Sequence, residues 1–259
     1  KSGGSQQTVV AMADRNGKVQ PIGLPPQSYL HPRISPDGKQ LVVATDDGKE
    51  AILWVHNLKG DSPLRRLTFG GRNEYPIWNR DGSRITFASD REGSRGLFWQ
   101  AADGNGSAER LASLDPKSPV HGPESWNGDG KILLFDATRP GSGISTSIWM
   151  LALDGERKAK LLLASQTDRA MTQAAFSPDG RWVAYMSQEL GPSQVFVQPF
   201  PFTGAKYQVS TDTGRAPVWS LDGKELIFHN DSTNRFIVLD IRTEPSFSFG
   251  KPTILPIEG

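Results

Sequence analysis

Six residues stand out for the chemistry their side chains could do: His31, Glu74, Tyr75, His121, Gln173 and Arg215. Each precedes, by six to eight positions, one of five Asp-Gly pairs that recur along the 259-residue chain. Hydrogen-bond donors, acceptors and aromatic rings gathered in one place suit reversible binding of a small ligand, a sugar or a peptide terminus. The competing reading is a solvated loop surface with no specific ligand. No catalytic residue is assigned, because the chain has no Gly-x-Ser-x-Gly elbow, no His-Glu-x-x-His and no phosphate-binding loop.

Metal chemistry fares no better. His31, His56, His121 and His229 are the only histidines, and there is no cysteine. A His-based site needs at least two histidines to converge with a carboxylate. His56 and His229 fall inside strand-like runs and read as ordinary strand residues, so neither metal nor cofactor is expected. Asp103 to Glu109, "DGNGSAE", places oxygen-bearing side chains at alternate positions. It lacks the sixth-position Gly and twelfth-position Glu of a calcium loop and reads as a hairpin turn. Asn105 and Asn230 match glycosylation acceptors, which a chain of bacterial appearance does not use. In "PFPF", Pro199 to Phe202, local packing is favoured over an exposed partner patch.

The elements that position the six residues come from a repeat. The Asp-Gly pairs begin at Asp37, Asp81, Asp129, Asp179 and Asp222, at intervals of 44, 48, 50 and 43 residues. Three residues before each Asp stands a large apolar residue: Ile34, Trp78, Trp126, Phe176 and Trp219. Spaced so widely, the five Asp residues cannot meet at one ion. They are expected to bond nearby backbone N–H groups in tight turns whose Gly takes positive φ. After each turn runs a strand-like stretch, as in "FSPDGRWVAYMS" from Phe176 to Ser187. Each unit resolves into four such runs separated by turns. In the second unit they are "EYPIWN", "RITFAS", "GLFWQAA" and "AERLAS".

Four antiparallel strands per unit of this length predict a β-propeller blade. One twisted sheet cannot cover both its faces, so neighbouring blades must pack together. Ile34, Trp78, Trp126, Phe176 and Trp219 are expected to fill the space between blades. The first strand of each blade then lines the axis, and the six polar residues ring one mouth from the loops that lead into it.

The predicted fold class is therefore all-β: a propeller of four-stranded antiparallel blades, six-bladed, with five complete blades and an N-terminal half blade. Residues 1–7 read as a linker and 8–259 as one propeller domain. The half blade spans 8–29 and the blades 30–73, 74–118, 119–169, 170–214 and 215–259. That makes 22 strands where six blades need 24. Two arrangements are expected to resolve this: a chain that continues past Gly259, or closure by unusual pairing of the N-terminal strands.

Composition agrees. The 27 Gly and 19 Pro favour turns over long helices, and 12 Phe, 7 Trp and 4 Tyr supply a core. The net charge of +1 argues against nucleic acid or an anionic membrane as partner. No apolar run is long enough to insert into a membrane.

"SPDG" together with "FASDREGSRGLFWQAADG", Phe87 to Gly104, resembles the TolB-type six-bladed propeller. "FSPDGRWVAYMSQELGPSQVFVQPF", Phe176 to Phe200, is similar to propellers appended to bacterial membrane-linked Ser/Thr kinases and winged-helix regulators. The resemblance covers Val9 to about Pro256. It implies a non-catalytic, extracytoplasmic sensor or interaction domain of a larger bacterial protein, binding a protein partner, with a small-molecule or sugar ligand as a second expectation. Similar repeats occur in prolyl-oligopeptidase-type peptidases and oligogalacturonate lyases. The alternative is thus the propeller of a carbohydrate- or peptide-processing enzyme.

Overall fold

The computed structural model describes residues 9–60, 62–112, 119–138, 145–165, 167 and 169–258. Every regular element among them is a strand. In chain order these are β1 (Ala11–Ala13), β2 (Val19–Pro21), β3 (Tyr29–Ile34), β4 (Gln40–Asp46), β5 (Ala51–Asn57), β6 (Arg65–Arg66), β7 (Asn73–Trp78), β8 (Arg84–Ser89), β9 (Gly96–Ala101) and β10 (Glu109–Arg110). The second half continues with β11 (Val120–Trp126), β12 (Ile132–Thr138), β13 (Thr146–Ala152), β14 (Ala159–Leu163), β15 (Met171–Phe176), β16 (Trp182–Ser187), β17 (Gln194–Pro199) and β18 (Tyr207–Gln208). It ends in β19 (Arg215–Trp219), β20 (Glu225–Asn230), β21 (Arg235–Arg242), β22 (Ser248–Phe249) and β23 (Thr253–Glu258).

These strands make a β-propeller fold of five four-stranded antiparallel blades, β3–β6, β7–β10, β11–β14, β15–β18 and β19–β22, preceded by the two-stranded half blade β1–β2. Each blade pairs its strands in chain order. In the last blade the outer strand comes in two pieces. β22 pairs one end of β21 (Ile241 with Phe249), and β23 pairs the other (Ile237 with Ile254). That break raises the strand number among the described residues to 23, against the 22 expected.

The framed turns explain how strands one and two of a blade are joined. Asp37 accepts the Lys39 N–H (3.1 Å) and the Ser35 hydroxyl (2.6 Å), while Ser35 Oγ accepts the Gln40 N–H (2.9 Å). Gly38 closes the turn at a φ of 71°, a conformation that penalises any side chain. Asp179 with Ser177, and Asp222 with Ser220, repeat the pattern. In the second and third blades Asn79 and Asn127 stand where the Ser would be and accept the Arg84 and Ile132 N–H groups.

The chain forms two compact units, one of residues up to Met12 with Val19–Pro123, the other of Ala13–Lys18 with Glu124–Gly259. In the first, Val42, Ala44, Leu53 and Val55 pack against Ile85, Phe87, Phe98 and Trp78. In the second, Leu134 and Ile148 pack against Phe176, Val183 and Tyr185. There too, Ala184, Val195 and Val197 pack against Trp219, Leu226 and Phe228. Each unit is thus built from apolar faces of successive blades, where burying one large side chain contributes about 1.5–3 kcal/mol. Phe202, from "PFPF", packs edge-on against Phe200 beside the second of these clusters.

One inter-blade assignment is corrected. Trp78, Trp126 and Trp219 are 8% exposed and Phe176 6%, but Ile34 is 48% exposed. Trp78, Phe176 and Trp219 pack onto strands two and three of the preceding blade. Trp78 also donates its indole N–H to Arg33 O (2.9 Å), and Trp219 donates to Ala175 O (3.1 Å), both on the preceding first strand. Among the described residues only the two-stranded sheet β1–β2 precedes Ile34, so it lacks the four-stranded neighbour that covers Trp78 and Trp219.

His56, on β5, carries a testable cost. It is buried opposite Leu41, and neither ring nitrogen has a hydrogen-bond partner. The same register position holds Gln100 and Gln198 in two other blades, where the amides reach Gly106 O and the Tyr185 hydroxyl. Replacing an unsatisfied polar ring by an apolar one of similar size removes a desolvation penalty. His56→Leu is expected to stabilise the protein by about 1 kcal/mol, a rise of roughly 2–4 °C in melting temperature. A thermal melt showing a lower value contradicts this reading.

Candidate functional site

The polar residues singled out for binding lie within first strands rather than in the loops before them. His31, Glu74 with Tyr75, His121, and Gln173 are inside β3, β7, β11 and β15, and Arg215 opens β19. The strands begin earlier than expected because a bulge lets the chain stay paired through these positions. Between Leu30 and Arg33, Glu74 and Ile77, Thr172 and Ala175, and Arg215 and Val218, the register shifts. At each bulge one non-Gly residue takes positive φ: His31 (52°), Tyr75 (55°), Gln173 (58°) and Ala216 (51°). All four stand six residues before a framed Asp. Three of them precede proline, a context that disfavours helical backbone of either hand. The third blade has Pro123 at this position, and its ring forbids positive φ.

In the first unit the structure brings His31, Glu74, Tyr75 and His121 together. The rings of His31 and Tyr75 lie 4.1 Å apart at 36°. Tyr75 is 41% exposed, although most large hydrophobic residues of its strand are buried. Arg95 sits 5.7 Å from the Tyr75 ring, donates to Glu74 Oε2 (2.6 Å) and reaches His121 O (2.9 Å). Arg72 donates to Glu74 Oε1 (3.2 Å) and to Asp46. The Glu74 carboxylate is therefore held between two guanidinium groups, leaving its side chain only 17% exposed. Gly122 completes the clamp. A Cβ there would stand 2.8 Å from Tyr75 Cβ and 2.9 Å from Cγ, so only glycine lets the ring occupy this place.

Arg72, Arg95, Asp46 and Gly122 carried no signal of their own in the sequence. Arg95 and Asp46 lie outside first strands and outside the phase of the repeat.

The second unit holds Gln173 and Arg215. Gln173 Oε1 accepts the Ala216 N–H (2.7 Å), and its own N–H goes to Glu124 Oε1 (2.9 Å). Thr172 Oγ1 lies 2.9 Å from both Glu124 and Asp136. Arg215 is drawn to Asp231, which also receives the Ser193 hydroxyl (3.2 Å) and faces His229 Nδ1 (3.0 Å). His229 Nε2 faces Asn234 Oδ1 (3.2 Å). Burial works to raise the Asp231 pKa, but the bonds from Arg215 and His229 prevail and lower it.

Hydrogen bonding also lowers the pKa of Asp37, chiefly through the Ser35 hydroxyl, and of Asp46, chiefly through Arg72. Burial lowers the pKa of His31, Arg33 and Arg95 reinforce the shift, and Glu74 opposes it. A histidine whose folded-state pKa is depressed costs stability only where the unfolded chain takes up a proton that the folded one refuses. Stability linked to His31 is thus unaffected above about pH 6.5 and falls as the pH drops below it, until the folded pKa is reached. Melts of wild type and His31→Gln between pH 8 and pH 5 are expected to diverge, with the variant losing less. Parallel curves would contradict the assignment. Among the described residues no group of three or more His, Asp or Glu is placed to hold a metal ion. No helix among them is long and apolar enough to cross a membrane.

No family model matches the chain. It is 24% identical over 199 residues to an uncharacterised protein of Agrobacterium fabrum, covering 75% of this chain and 63% of the relative. An uncharacterised peptidase of Bacillus subtilis is 23% identical over 196 residues, covering 61% and 29%. The chain therefore spans less than two thirds of either relative. Among solved structures, a TolB protein from Agrobacterium tumefaciens superposes with a TM-score of 0.72 at 18% identity, over 92% of this chain and 84% of that one. TolB from Acinetobacter baumannii gives 0.71 at 20%, over 97% and 61%. An oligogalacturonate lyase in complex with manganese gives 0.66 at 13%, over 95% and 73%. The fold is that of TolB-like propellers, and at these identities the likeness speaks for fold alone.

Proposed function

We propose that this chain is a non-catalytic recognition propeller, the extracytoplasmic sensor or protein-interaction domain of a larger bacterial protein, and that it binds a protein partner at the bulged first strands. The observation carrying this reading is the Tyr75 clamp. The ring is presented to solvent on backbone of positive φ, tilted against the His31 ring and seated against Gly122, while Arg95 and Arg72 fix Glu74 beside it. Such rigidity lowers the entropy lost on binding, and exposed aromatic residues beside arginine are typical anchors of protein interfaces. An acid or base that must exchange protons with a substrate is poorly served by two guanidinium partners holding its carboxylate, which weighs against Glu74 as a catalyst. The resemblance of the repeat motifs to TolB-type propellers supports a binding role and an extracytoplasmic place, and their resemblance to repeats of oligogalacturonate lyases and prolyl-oligopeptidase-type peptidases supplies the enzyme alternative.

The reading is tested by affinity capture from envelope extracts with wild type, Tyr75→Ala and Gly122→Val, each confirmed folded by circular dichroism. One protein retained by wild type and lost from both variants is the expected result. Turnover of oligogalacturonate or peptides by the purified chain, with no protein captured, would favour the enzyme alternative.

A further inference from the structure

We propose that Asn105 is a site of spontaneous covalent modification, deamidation through a succinimide, and that the fold directs this reaction to it and away from the two other Asn-Gly pairs of the chain. The site lies in the loop between β9 and β10, and the inference does not rest on the reading given for the Tyr75 clamp.

The chemistry resides in the dipeptide, which occurs at Asn16-Gly17, Asn105-Gly106 and Asn127-Gly128. The glycine nitrogen can attack the Asn side-chain carbonyl carbon because no Cβ shields it. The bond from the Gly nitrogen to Asn Cγ forms and the Cγ–Nδ2 bond breaks. The side-chain nitrogen leaves as ammonia, taking the proton that the glycine nitrogen gives up. Water then opens the cyclic imide. Opening at Cγ yields aspartate, and opening at the backbone carbonyl yields isoaspartate, in which the main chain runs through the former side chain. The reaction needs a free glycine N–H, room around it and a side chain that can turn toward it.

Two of the pairs are denied these conditions. The Gly17 N–H donates to Asp14 O (3.0 Å), and a Cβ on Gly17 would stand 2.5 Å from Pro256 O, so this turn is tied and packed. Asn127 is buried, and its Oδ1 accepts the N–H groups of Lys131 (3.0 Å) and Ile132 (2.9 Å). A Cβ on Gly128 would stand 2.8 Å from Pro178 O.

The pair at Asn105 meets all of them. Asn105 and Gly106 are both exposed. Among the described residues nothing accepts the Gly106 N–H, and a Cβ on Gly106 would meet nothing within 4 Å. Gln100 reaches the Gly106 carbonyl (3.4 Å) and leaves the nitrogen free. The Asn105 side chain has one tie, from Nδ2 to Asp103 Oδ2 (2.8 Å). Both of those residues are exposed, so water competes for that bond. Either product adds a carboxylate beside Asp103. Isoaspartate also lengthens by one methylene the loop that Arg65 holds through Ala102 O.

The test incubates the whole 259-residue protein at mildly alkaline pH, native and in urea. Mass spectrometry of proteolytic peptides follows the three sites in one sample, with isoaspartate separated by chromatography. Native protein is expected to lose the Asn105 amide at least about tenfold faster than that of Asn16 or Asn127, the ratio that one retained hydrogen bond supports. In urea the fold no longer discriminates, and the three rates are expected to come together. Gly106→Ala, its folding verified by a melting curve, is expected to slow the loss at Asn105 at least about tenfold and to leave the other sites unchanged. Native loss at Asn16 or Asn127 as fast as at Asn105, no loss at Asn105, or a ranking that persists unaltered in urea overturns the proposal.

Discussion

Trp219→Ala is expected to destabilise the protein by about 3–5 kcal/mol, whereas Ile34→Ala, at the same place in the repeat, costs less than about 1 kcal/mol. Trp219 is buried among Ala184, Val195 and Val197 of one blade and Leu226 and Phe228 of the next. Its truncation opens a cavity that both blades line. It also strips the Ala175 carbonyl of its indole donor. Ile34 is nearly half exposed, so little packing is lost there. Urea unfolding of the two variants measures the difference. Equal losses would mean that the framed residues do not hold neighbouring blades together.

Asn73→Ala is expected to cost about 3 kcal/mol or more and to weaken partner binding with it. Asn73 is fully buried at the start of β7. Its amide nitrogen lies 3.1 Å from Ala51 O, 3.1 Å from Gly70 O and 2.9 Å from Gly71 O, and its Oδ1 receives Arg91 Nη2 at 2.7 Å. Alanine leaves several buried groups without partners, each costing about 1–3 kcal/mol. The residue also anchors the turn that delivers Glu74 and Tyr75 to their positions. A loss of stability with unchanged partner binding would separate this anchor from the clamp and contradict the second half of the prediction.

The blades were legible in the sequence because one physical requirement recurs five times. A tight turn needs Asp and Gly, and the inter-blade space needs a large apolar residue three positions earlier. A further regularity was present but unread. The residue after each framed apolar one is Ser35, Asn79, Asn127, Ser177 or Ser220, and its side-chain oxygen accepts the N–H that begins strand two. Residue type alone placed Ile34 with the tryptophans. What differs is its neighbour, a sheet of two strands, and burial depends on neighbours.

The clamp was half legible. His31 and Tyr75 share a phase of the repeat, and Glu74 stands one position before Tyr75, so the three group together on spacing alone. Arg95 and Arg72 reach Glu74 from other parts of the second blade, and no spacing rule connects them. Gly122 matters through the volume it leaves for Tyr75, which a sequence does not display. The positive φ of His31, Tyr75, Gln173 and Ala216 was equally hidden, because none of these residues advertises that conformation.

The central claim, that a protein partner sits on the Tyr75 clamp, is most directly tested by site-specific photocrosslinking in the native cell. Tyr75 is replaced by a photoreactive benzoyl-phenylalanine, which keeps an aromatic ring in place, and Leu190, exposed in the other unit, serves as control. A single discrete protein adduct from position 75, absent from position 190, is the predicted result. No adduct at 75, or the same adduct from both positions, would contradict the account.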